Sequence, residues 1–268
     1  MKKILFFSAL CAGLLLASCD SKEEGTINGV FSVSETKQVK FSSGNLQYTK
    51  STQTLQFAEH QWDILGGENA KYSEMDTFDV FGWGTGDNPT YERCEEDAKF
   101  VDWGTKPISN GGEFQWRTLN PKEWEYVVMG RPNALSLIAY GRVENVKGLI
   151  LLPDEWKQPD DVSFVSLVDT ATISYHSIDV KNRTNETDLS VLNVYDAAAW
   201  EKMEEAGAVF LPFTSWYFSD DGLPTEAEYW SSSDSHLSVS DTSIWPDRGC
   251  MISAFEQHVR LVRDVVKE

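Results

Sequence analysis

The segment Trp116-Arg-Thr-Leu-Asn-Pro-Lys-Glu-Trp124 joins a short strand to a helix start. Asn120 is a favourable N-cap residue, and Pro121 suits the first helical position because no backbone N–H is needed there. Glu123 stands three residues after the cap, which is the spacing of a capping box. The segment therefore predicts a strand over Trp116–Leu119 and a helix that begins after Asn120.

Two helices are predicted, each with one apolar face. Their buried faces consist of Trp124, Val127 and Val128 in the first helix and of Trp200 and Met203 in the second. These spacings of three and four residues repeat once per helical turn. Asp196 supplies the N-cap of the second helix, and Gly207 ends it in the usual position for glycine.

Short strands are predicted before the first helix. Apolar and polar residues alternate with the period of half-buried strands in Phe31–Val33, Val39–Phe41, Leu46–Tyr48 and Leu55–Phe57. The polar residues Lys50–Gln53 join the last two strands as a β-hairpin. The following segment, Asp63–Gly112, is rich in Gly, Asp, Asn and aromatic residues, which predicts irregular structure with aromatic side chains packed inwards.

Further strands follow the first helix. The continuous apolar run Gly148–Pro153 predicts a central strand that is buried on both faces. Three more strands are predicted over Ala208–Pro212, Tyr229–Ser232 and His258–Arg263. The polar, β-branched segment Val162–Asn193 is either an excursion from the fold or a pair of exposed strands. This order of elements predicts a single α+β domain over residues 30–268.

The composition is that of an acidic globular protein. Of the 268 residues, 41% are hydrophobic and 24% are charged, which argues against wholesale disorder and fibrous architectures. The 42 acidic and 23 basic side chains give a formal charge of -19, and such a surface repels phosphate backbones. We therefore expect no nucleic acid partner.

Residues 1–18 have the layout of a secretion signal. Lys2 and Lys3 are basic, Ile4–Leu16 is apolar, and Leu16-Ala-Ser-Cys19 combines small residues with a cysteine. The alternative is an anchor that spans the membrane, which needs about twenty apolar residues, more than this run supplies.

Leu16-Ala-Ser-Cys19 resembles the lipobox of bacterial lipoproteins. The resemblance implies that Cys19 is acylated, for example with palmitate, and lipid chains attach a protein to a membrane without a spanning helix. Residues 19–29 are predicted to form a flexible leash, which is either a plain linker or a signal similar to those that send lipoproteins to the cell surface. We expect a lipid-anchored protein of the outer membrane that faces the cell surface or, alternatively, the periplasm.

Two cysteines remain after the signal and the lipidated position. Cys94 and Cys250 lie in an oxidising compartment and either form a disulfide or stay as two buried thiols. Because they are far apart in sequence and have no histidine neighbours, a zinc site is not expected.

Five motifs in order resemble a secreted bacterial lipoprotein family with a C-type lectin-like fold. They are Trp116–Trp124, Gly148–Pro153, Ala206–Pro212, Tyr229–Ser233 and Val259–Arg263. The fold is related to that of formylglycine-generating enzymes and of variable proteins from diversity-generating retroelements. The resemblance implies two helices packed on an irregular, mostly antiparallel, Trp-rich sheet, with the first and last strands paired.

The resemblance also implies that Ser232–Gln257, before the final strand, forms a ligand-facing surface. Its candidate ligand-binding residues are Asp234, His236, Ser238, Ser240, Trp245, Asp247, Arg248 and Glu256. Polar groups around one aromatic anchor suit recognition of a polar ligand. The alternative is a solvated loop whose Trp245 packs into the core.

Catalytic constellations are mostly missing from the sequence. Formylglycine-generating enzymes use two nearby cysteines late in the fold, whereas only Cys250 lies there. No Gly-x-Ser-x-Gly elbow occurs, although a nonlocal triad stays open. His60 and Asp63, like His176 and Asp179, are three residues apart, so they would face opposite sides of a strand and not cooperate. Paired carboxylates of a glycosidase are defined by their separation in space, which the sequence does not give.

No metal or other cofactor is expected, although calcium is possible because oxygen ligands are abundant. Gln158-Pro-Asp160 matches a tripeptide that some lectins use for sugars, but its position differs and we interpret the match as accidental. Asp169-Thr170-Ala171 resembles an O-glycosylation sequon of the same bacterial group, and a chance tripeptide is the alternative.

The sequence thus predicts a non-enzymatic envelope lipoprotein that binds an extracellular protein or glycan. Two other functions stay open. One is a carbohydrate-active enzyme with a carboxylate pair, and the other is a structural subunit of a surface appendage.

Overall fold

The computed structural model describes residues 24–66, 72–90, 99–181, 189–214, 225–249 and 256–266. Within these ranges the architecture is mixed α+β, with short helices and mostly antiparallel sheets. The strands are β1 (Phe31–Ser32), β2 (Gln38–Phe41), β3 (Leu46–Thr49), β4 (Thr54–Phe57), β5 (Thr77–Phe78), β6 (Val80–Gly82), β7 (Arg117–Thr118), β8 (Ile138–Val143), β9 (Val146–Leu151), β10 (Ala171–Ile173), β11 (Ile178–Val180), β12 (Val194–Tyr195), β13 (Val209–Pro212), β14 (Glu226–Trp230), β15 (Ser235–Ser240), β16 (Ser243–Gly249), β17 (Glu256–His258) and β18 (Leu261–Asp264). The α-helices are α1 (Pro121–Glu125), α2 (Leu189–Leu192) and α3 (Ala197–Glu205).

The strands form four sheets. Their orders are β1-β2-β18-β7, β10-β11-β16-β15-β14-β17-β6, β12-β8-β9-β13 and β4-β3-β5. Parallel pairing occurs between β12 and β8 and between β14 and β17. The final strand β18 lies between β2 and β7, which brings the two ends of the described chain together.

The N-terminal β-hairpin is confirmed. β3 and β4 pair from Leu46 opposite Phe57 to Thr49 opposite Thr54. The turn ends at Gln53, whose φ is 52°. In the irregular segment that follows, Phe81 and Trp103 are buried, as the aromatic-rich sequence predicts.

The first predicted helix is confirmed in its start and in its buried face. Asn120 Oδ1 accepts a hydrogen bond from Glu123 N at 3.0 Å, and Glu123 Oε2 accepts one from Asn120 N at 3.0 Å, which completes the capping box. Trp124, Val127 and Val128 are fully buried. After Glu125 the chain continues as a π-helical turn over Tyr126–Gly130.

The second predicted helix is α3. Asp196 Oδ1 accepts from Ala199 N at 2.8 Å, and Trp200 and Met203 are fully buried. Gly207 follows the helix with a φ of +95°, and a Cβ there would lie 2.6 Å from the Cα of Gly29. Both the backbone angle and the close approach therefore require glycine at this position.

The apolar run after the first helix is the central strand β9, between β8 and β13. The sequence patterns did not predict β8. It is joined to β9 by Glu144 and Asn145, both with positive φ, as in a tight hairpin turn. The segment Val162–Asn193 includes the strand pair β10 and β11 at the edge of the largest sheet, one of its two predicted forms.

Two predictions are wrong. The closing strand over His258–Arg263 is divided into β17 and β18, which belong to different sheets and are separated by Val259 and Arg260. The flexible leash over residues 19–29 does not extend through Thr26 and Ile27, because both are fully buried and Ile27 N donates to Phe41 O at 2.9 Å.

Candidate functional site

The candidate site lies on one face of the hairpin formed by β15 and β16, together with the neighbouring strands β14 and β17. Leu237 and Val239 point from β15 into the main core, where α1 packs against the hairpin. Because side chains alternate along a strand, the residues between them face the other way. We call this second surface the polar face, and it consists of Glu226, Glu228, His236, Ser238, Ser240, Trp245, Arg248 and Gln257.

The strand register arranges these side chains in rows across the sheet. Ser238 is opposite Glu228 on one side and Trp245 on the other, and His236 is opposite Arg248. A register shift between His236 and Ser238 marks a β-bulge, which bends the hairpin locally. The register thus gathers an acid, a base, a hydroxyl and an indole on one surface.

Direct contacts connect the rows. Arg248 Nη1 donates to Ser238 Oγ at 3.0 Å. His236 Nε2 lies 3.5 Å from Glu228 Oε1, which is close enough for charges to interact but long for a hydrogen bond. His236 is 3% exposed and its ring meets Trp230 edge to face, with 6.2 Å between centroids. Its position is therefore fixed by packing and by the neighbouring carboxylate.

The two carboxyl groups of the polar face have pKa values that shift in opposite directions. Burial raises the pKa of Glu226, and the nearby Glu228 raises it further, against the opposing charge of Arg248. Burial also acts to raise the pKa of Glu228, but its interactions with His236 and Arg248 outweigh burial and lower it. The environment therefore favours a proton on Glu226 over one on Glu228.

Some buried polar atoms of the polar face lack hydrogen-bond partners within the described residues. They are Nδ1 and Nε2 of His236 and Oε1 of Gln257. Both residues are nearly inaccessible, with 3% and 2% of their surface exposed. Buried polar atoms are nearly always hydrogen-bonded in folded proteins. These atoms therefore hold unused hydrogen-bonding capacity beneath the polar face.

The predicted ligand-binding residues differ in exposure. Asp234, Trp245, Asp247 and Arg248 are exposed, Ser240 and Glu256 are half-buried, and His236 and Ser238 are buried. Trp245 does not pack into the core, since 39% of its surface is exposed.

Not all of these residues share a surface. Five of them, His236, Ser238, Ser240, Trp245 and Arg248, lie on the polar face, whereas Asp234 lies in the bend before β15. Glu256 adjoins Gln257 on β17 and therefore faces the other side. The interpretation of this stretch as a plain loop is wrong where β15 and β16 form.

Sequence reasoning missed Glu226 and Glu228, and it did not single out Gln257, the last residue of the predicted segment Ser232–Gln257. The signal for the glutamates was present, because Glu226-Ala-Glu-Tyr229 alternates between polar and apolar residues as a strand does. Gln257 had no such signal, since its place beside Glu228 depends on parallel pairing of β14 with β17.

Some of the remaining predicted positions lie outside the described residues. Cys19, Cys94 and Cys250 all lie there. Thr170 is half-buried, and its backbone oxygen accepts a hydrogen bond from Lys181 N at 2.9 Å. Its glycosylation stays a prediction.

One histidine prediction needs correction. His60 Nδ1 contacts Asp63 Oδ2 at 3.4 Å, because residues 60–63 form a turn instead of a strand. The prediction that these two side chains would not meet is therefore wrong.

No group of three or more His, Cys, Asp or Glu side chains in the described ranges is arranged to hold a metal ion. None of the helices in the same ranges combines the length and apolar character needed to cross a membrane.

A scan against family models, a search of curated proteins and a search of solved structures each gave no match.

Proposed function

We propose that the protein is a non-enzymatic, lipid-anchored lipoprotein of the cell envelope that binds an extracellular glycan or protein through the polar face. The observation that carries the proposal is the exposed Trp245 and Arg248 on one polar face, with unused hydrogen-bonding capacity at the buried His236 and Gln257 Oε1. An accessible indole offers apolar area for stacking, and the neighbouring polar atoms fix orientation by hydrogen bonds.

We further propose that the scaffold is a C-type lectin-like domain. Support comes from the five sequence motifs and from the final strand, which lies beside β2 near the start of the described chain. Two short helices, α1 and α3, are capped at Asn120 and Asp196, as the sequence predicts, and Asn120 belongs to the first motif. In such a scaffold the hairpin before the last strands would carry the ligand surface.

The proposed location is the outer membrane, with the polar face presented at the cell surface. This proposal rests on Leu16-Ala-Ser-Cys19 and on the acidic residues that follow it. Labelling with a palmitate analogue, with Cys19→Ala as the control, tests lipidation directly. Protease treatment of intact cells then separates a surface location from a periplasmic one.

Binding is tested with the full-length protein in detergent. Glycan arrays and pull-down from extracellular material identify a ligand, and the same ligand is then titrated against Trp245→Ala and Arg248→Gln. Each change is expected to weaken binding about tenfold, the size of effect for an interface residue that contributes more than 1 kcal/mol. Tyr175→Ala is the matched control, because Tyr175 is an exposed aromatic residue on the turn between β10 and β11. Unchanged affinity in both polar-face variants would contradict the proposal.

A second candidate function is carbohydrate hydrolysis, favoured by one specific observation. Glu226 and Glu228 lie on the same face of β14, and their pKa values shift apart. A carboxyl pair of this kind can divide the roles of general acid and base. Release of reducing sugar ends that disappears in both Glu226→Gln and Glu228→Gln would support hydrolysis. Binding without turnover would support the first proposal.

A further inference from the structure

A concave site lies beside the turn of the β-hairpin formed by β3 and β4. It is a cleft of about 450 Å³, within the usual range for small-molecule sites. Three described segments line it: the hairpin, residues 86–89 after β6, and residues 106–109 after the helical turn Trp103–Thr105. We call it the hairpin cleft. None of its described lining residues belongs to the polar face, so the inference below does not rest on the proposed function.

Backbone hydrogen bonds hold the three walls of the hairpin cleft in place. The first wall is the paired hairpin itself, in which Tyr48 is opposite Leu55. The second wall is fixed against β4, because Ser109 N donates to Leu55 O at 2.9 Å. The third wall is fixed at its start, where Gly86 N donates to Val101 O at 3.0 Å. The cleft is therefore preformed in the free protein.

One side chain of the hairpin cleft, Tyr48, is buried but has an unused hydroxyl group. Only 8% of its surface is exposed, and its ring packs against Phe78 with 5.6 Å between the centroids. The hydroxyl forms no hydrogen bond within the described residues, yet it is not among the unpartnered polar atoms that are closed to solvent. Because Tyr48 lines the cleft, this accessible hydroxyl is available to a ligand there.

The other buried tyrosines of the described ranges all use their hydroxyl groups within the chain. The hydroxyls of Tyr140, Tyr195 and Tyr229 form hydrogen bonds of 2.7, 2.7 and 3.2 Å. A buried tyrosine usually finds a partner for its O–H group. Tyr48 departs from that rule at the place where its hydroxyl meets the cleft.

The hairpin cleft also carries one positive and one negative side chain. Lys106 and Asp87 are exposed, and neither side chain forms an ion pair or a hydrogen bond within the described residues. Their charged atoms are therefore more than 4.0 Å apart, the limit for a direct ion pair. A lone anion in the cleft would meet Asp87, and a lone cation would meet Lys106. The pair of charges therefore favours a ligand that carries both signs.

The rest of the lining limits the size and shape of such a ligand. Leu55 and Pro89 are buried and offer apolar contact, whereas the ring of Tyr48 is too deeply buried to serve as a stacking surface for a sugar. In a single amino acid, the ammonium and carboxylate groups are attached to the same carbon. A dipeptide is up to about 7 Å long, so its two charged ends can reach two separate side chains.

We propose that the hairpin cleft binds a short free peptide, about two residues long, in its zwitterionic form. The carboxylate of the peptide pairs with Lys106, its ammonium group pairs with Asp87, and its carbonyl oxygen accepts a hydrogen bond from the Tyr48 hydroxyl. A peptide blocked at either end would lose one of the two ion pairs. A neutral sugar would lose both.

Ligand-observed NMR with the full-length protein in detergent tests the proposal with four probes: dialanine, N-acetyl-dialanine, dialanine amide and sucrose. Dialanine is expected to bind about threefold more tightly than either blocked dipeptide, the size of effect for an exposed ion pair. Sucrose is expected to bind most weakly.

Two charge variants assign the ends of the peptide. Lys106→Gln should abolish the preference for dialanine over its amide, which lacks the carboxylate, and should keep the preference over N-acetyl-dialanine. Asp87→Asn should do the reverse. Lys157→Gln, at an exposed lysine outside the cleft, is the matched control and should leave all four affinities unchanged.

Tyr48→Phe separates the hydroxyl contact from the charges. It should weaken binding of dialanine about fivefold and leave the urea midpoint of unfolding unchanged, because the hydroxyl has no partner within the described residues. Tyr195→Phe is the matched control. It removes a hydroxyl that donates to Ser163 O, so it should lower the urea midpoint and leave binding unchanged. Equal affinity for all four probes, tighter binding of sucrose, preferences that both charge variants retain, or no binding of any probe would overturn the proposal.

Discussion

Two of the regions that hold buried polar groups differ in how those groups are satisfied. The first region, which we call the junction, consists of Arg131 and Asp154. Arg131 follows the helical turn after α1, and Asp154 accepts hydrogen bonds from β1 and β2. In the polar face, His236 and Gln257 are buried as deeply as Arg131, but His236 has no hydrogen-bond partner for either ring nitrogen within the described residues, and Gln257 has none for Oε1. Burial alone therefore does not distinguish a structural polar group from a functional one.

The junction is connected by short contacts on almost every side. Arg131 donates to Val127 O at 2.7 Å and to Leu152 O at 2.9 Å, and pairs with Asp154 Oδ1 at 3.2 Å. Only Nη2 of this guanidinium has no hydrogen-bond partner within the described residues. The guanidinium lies over the ring of Phe31, 5.4 Å from the ring centroid.

Asp154 completes the junction from the other side. Its Oδ2 accepts from Ser32 N at 2.8 Å and from Ser32 Oγ at 2.7 Å. Such a group has its partners within the chain and stabilises the fold without any ligand. The buried groups of the polar face have no such set of partners within the described residues. We expect this where the partner comes from outside the chain.

The largest effect is expected from Asp154→Asn in the junction. The change leaves the guanidinium of Arg131 buried without its carboxylate. Because Asp154 keeps 22% of its side-chain surface exposed, we expect a cost of about 2–3 kcal/mol, at or below the low end for a fully buried pair. Urea unfolding followed by circular dichroism at pH 7 measures the loss. Asp160→Asn, at an exposed aspartate nearby in sequence, should change the free energy of unfolding by less than about 0.5 kcal/mol.

The same variant has a defined pH dependence. Burial acts to raise the pKa of Asp154, but hydrogen bonds from Ser32 and the charge of Arg131 outweigh burial and lower it. A lowered pKa in the folded state means that the carboxylate adds stability above its unfolded pKa, about 3.9, and that this stability is lost as the pH falls through the folded value. The difference in the free energy of unfolding between wild type and Asp154→Asn should therefore be largest at pH 7 and become smaller below about pH 4. A difference that stays constant down to pH 3 would refute the assigned role.

A smaller effect is expected at the start of α1. Asn120→Ala removes the side chain that accepts from Glu123 N and should lower the free energy of unfolding by about 1 kcal/mol. Asn120→Asp keeps an acceptor in the same place and should be close to wild type. The urea midpoints of the two variants give the comparison, and equal losses in both would show that the cap contributes nothing specific.

Local patterns predicted the helix ends better than they predicted the polar face. The capping box at Asn120 and the glycine at Gly207 depend only on neighbours in sequence, and both are confirmed. The strand β8 was missed because its register depends on β9 and β12. Patterns of local spacing carry no information on such pairing.

The candidate site shows the same limit. Trp245 and Arg248 were found because they stand in one polar stretch, whereas Gln257 reaches the polar face only through the pairing of β17 with β14. The His258–Arg263 segment looked like one alternating strand, yet Arg260 turns into a fully buried network and divides it. Spacing along the chain could not reveal that Arg260 would meet Gln61, a residue far away in sequence.

The smallest change in stability, and the sharpest test of the comparison, is expected from His236→Leu. Neither imidazole nitrogen makes a hydrogen bond within the described residues, and the 3.5 Å contact of Nε2 with the partly exposed Glu228 is weak, so an apolar side chain of similar size should leave the free energy of unfolding within about 0.5 kcal/mol of wild type. Glu228 keeps 31% of its side-chain surface exposed and stays hydrated without the histidine. Ligand binding through the polar face should nevertheless fall.

His258→Leu is the matched control for that variant. His258 Nδ1 shares a hydrogen bond with Thr214 Oγ1 at 3.0 Å, whereas its Nε2, like that of His236, makes no hydrogen bond and lies 3.4 Å from the fully buried Asp79. Its removal leaves a buried carboxylate without its neighbour and should cost about 1–3 kcal/mol. Equal stability losses in the two histidine variants would mean that His236 is satisfied within the chain. The polar face would then be part of the scaffold, like the junction, because a group that stabilises the free protein needs no external partner.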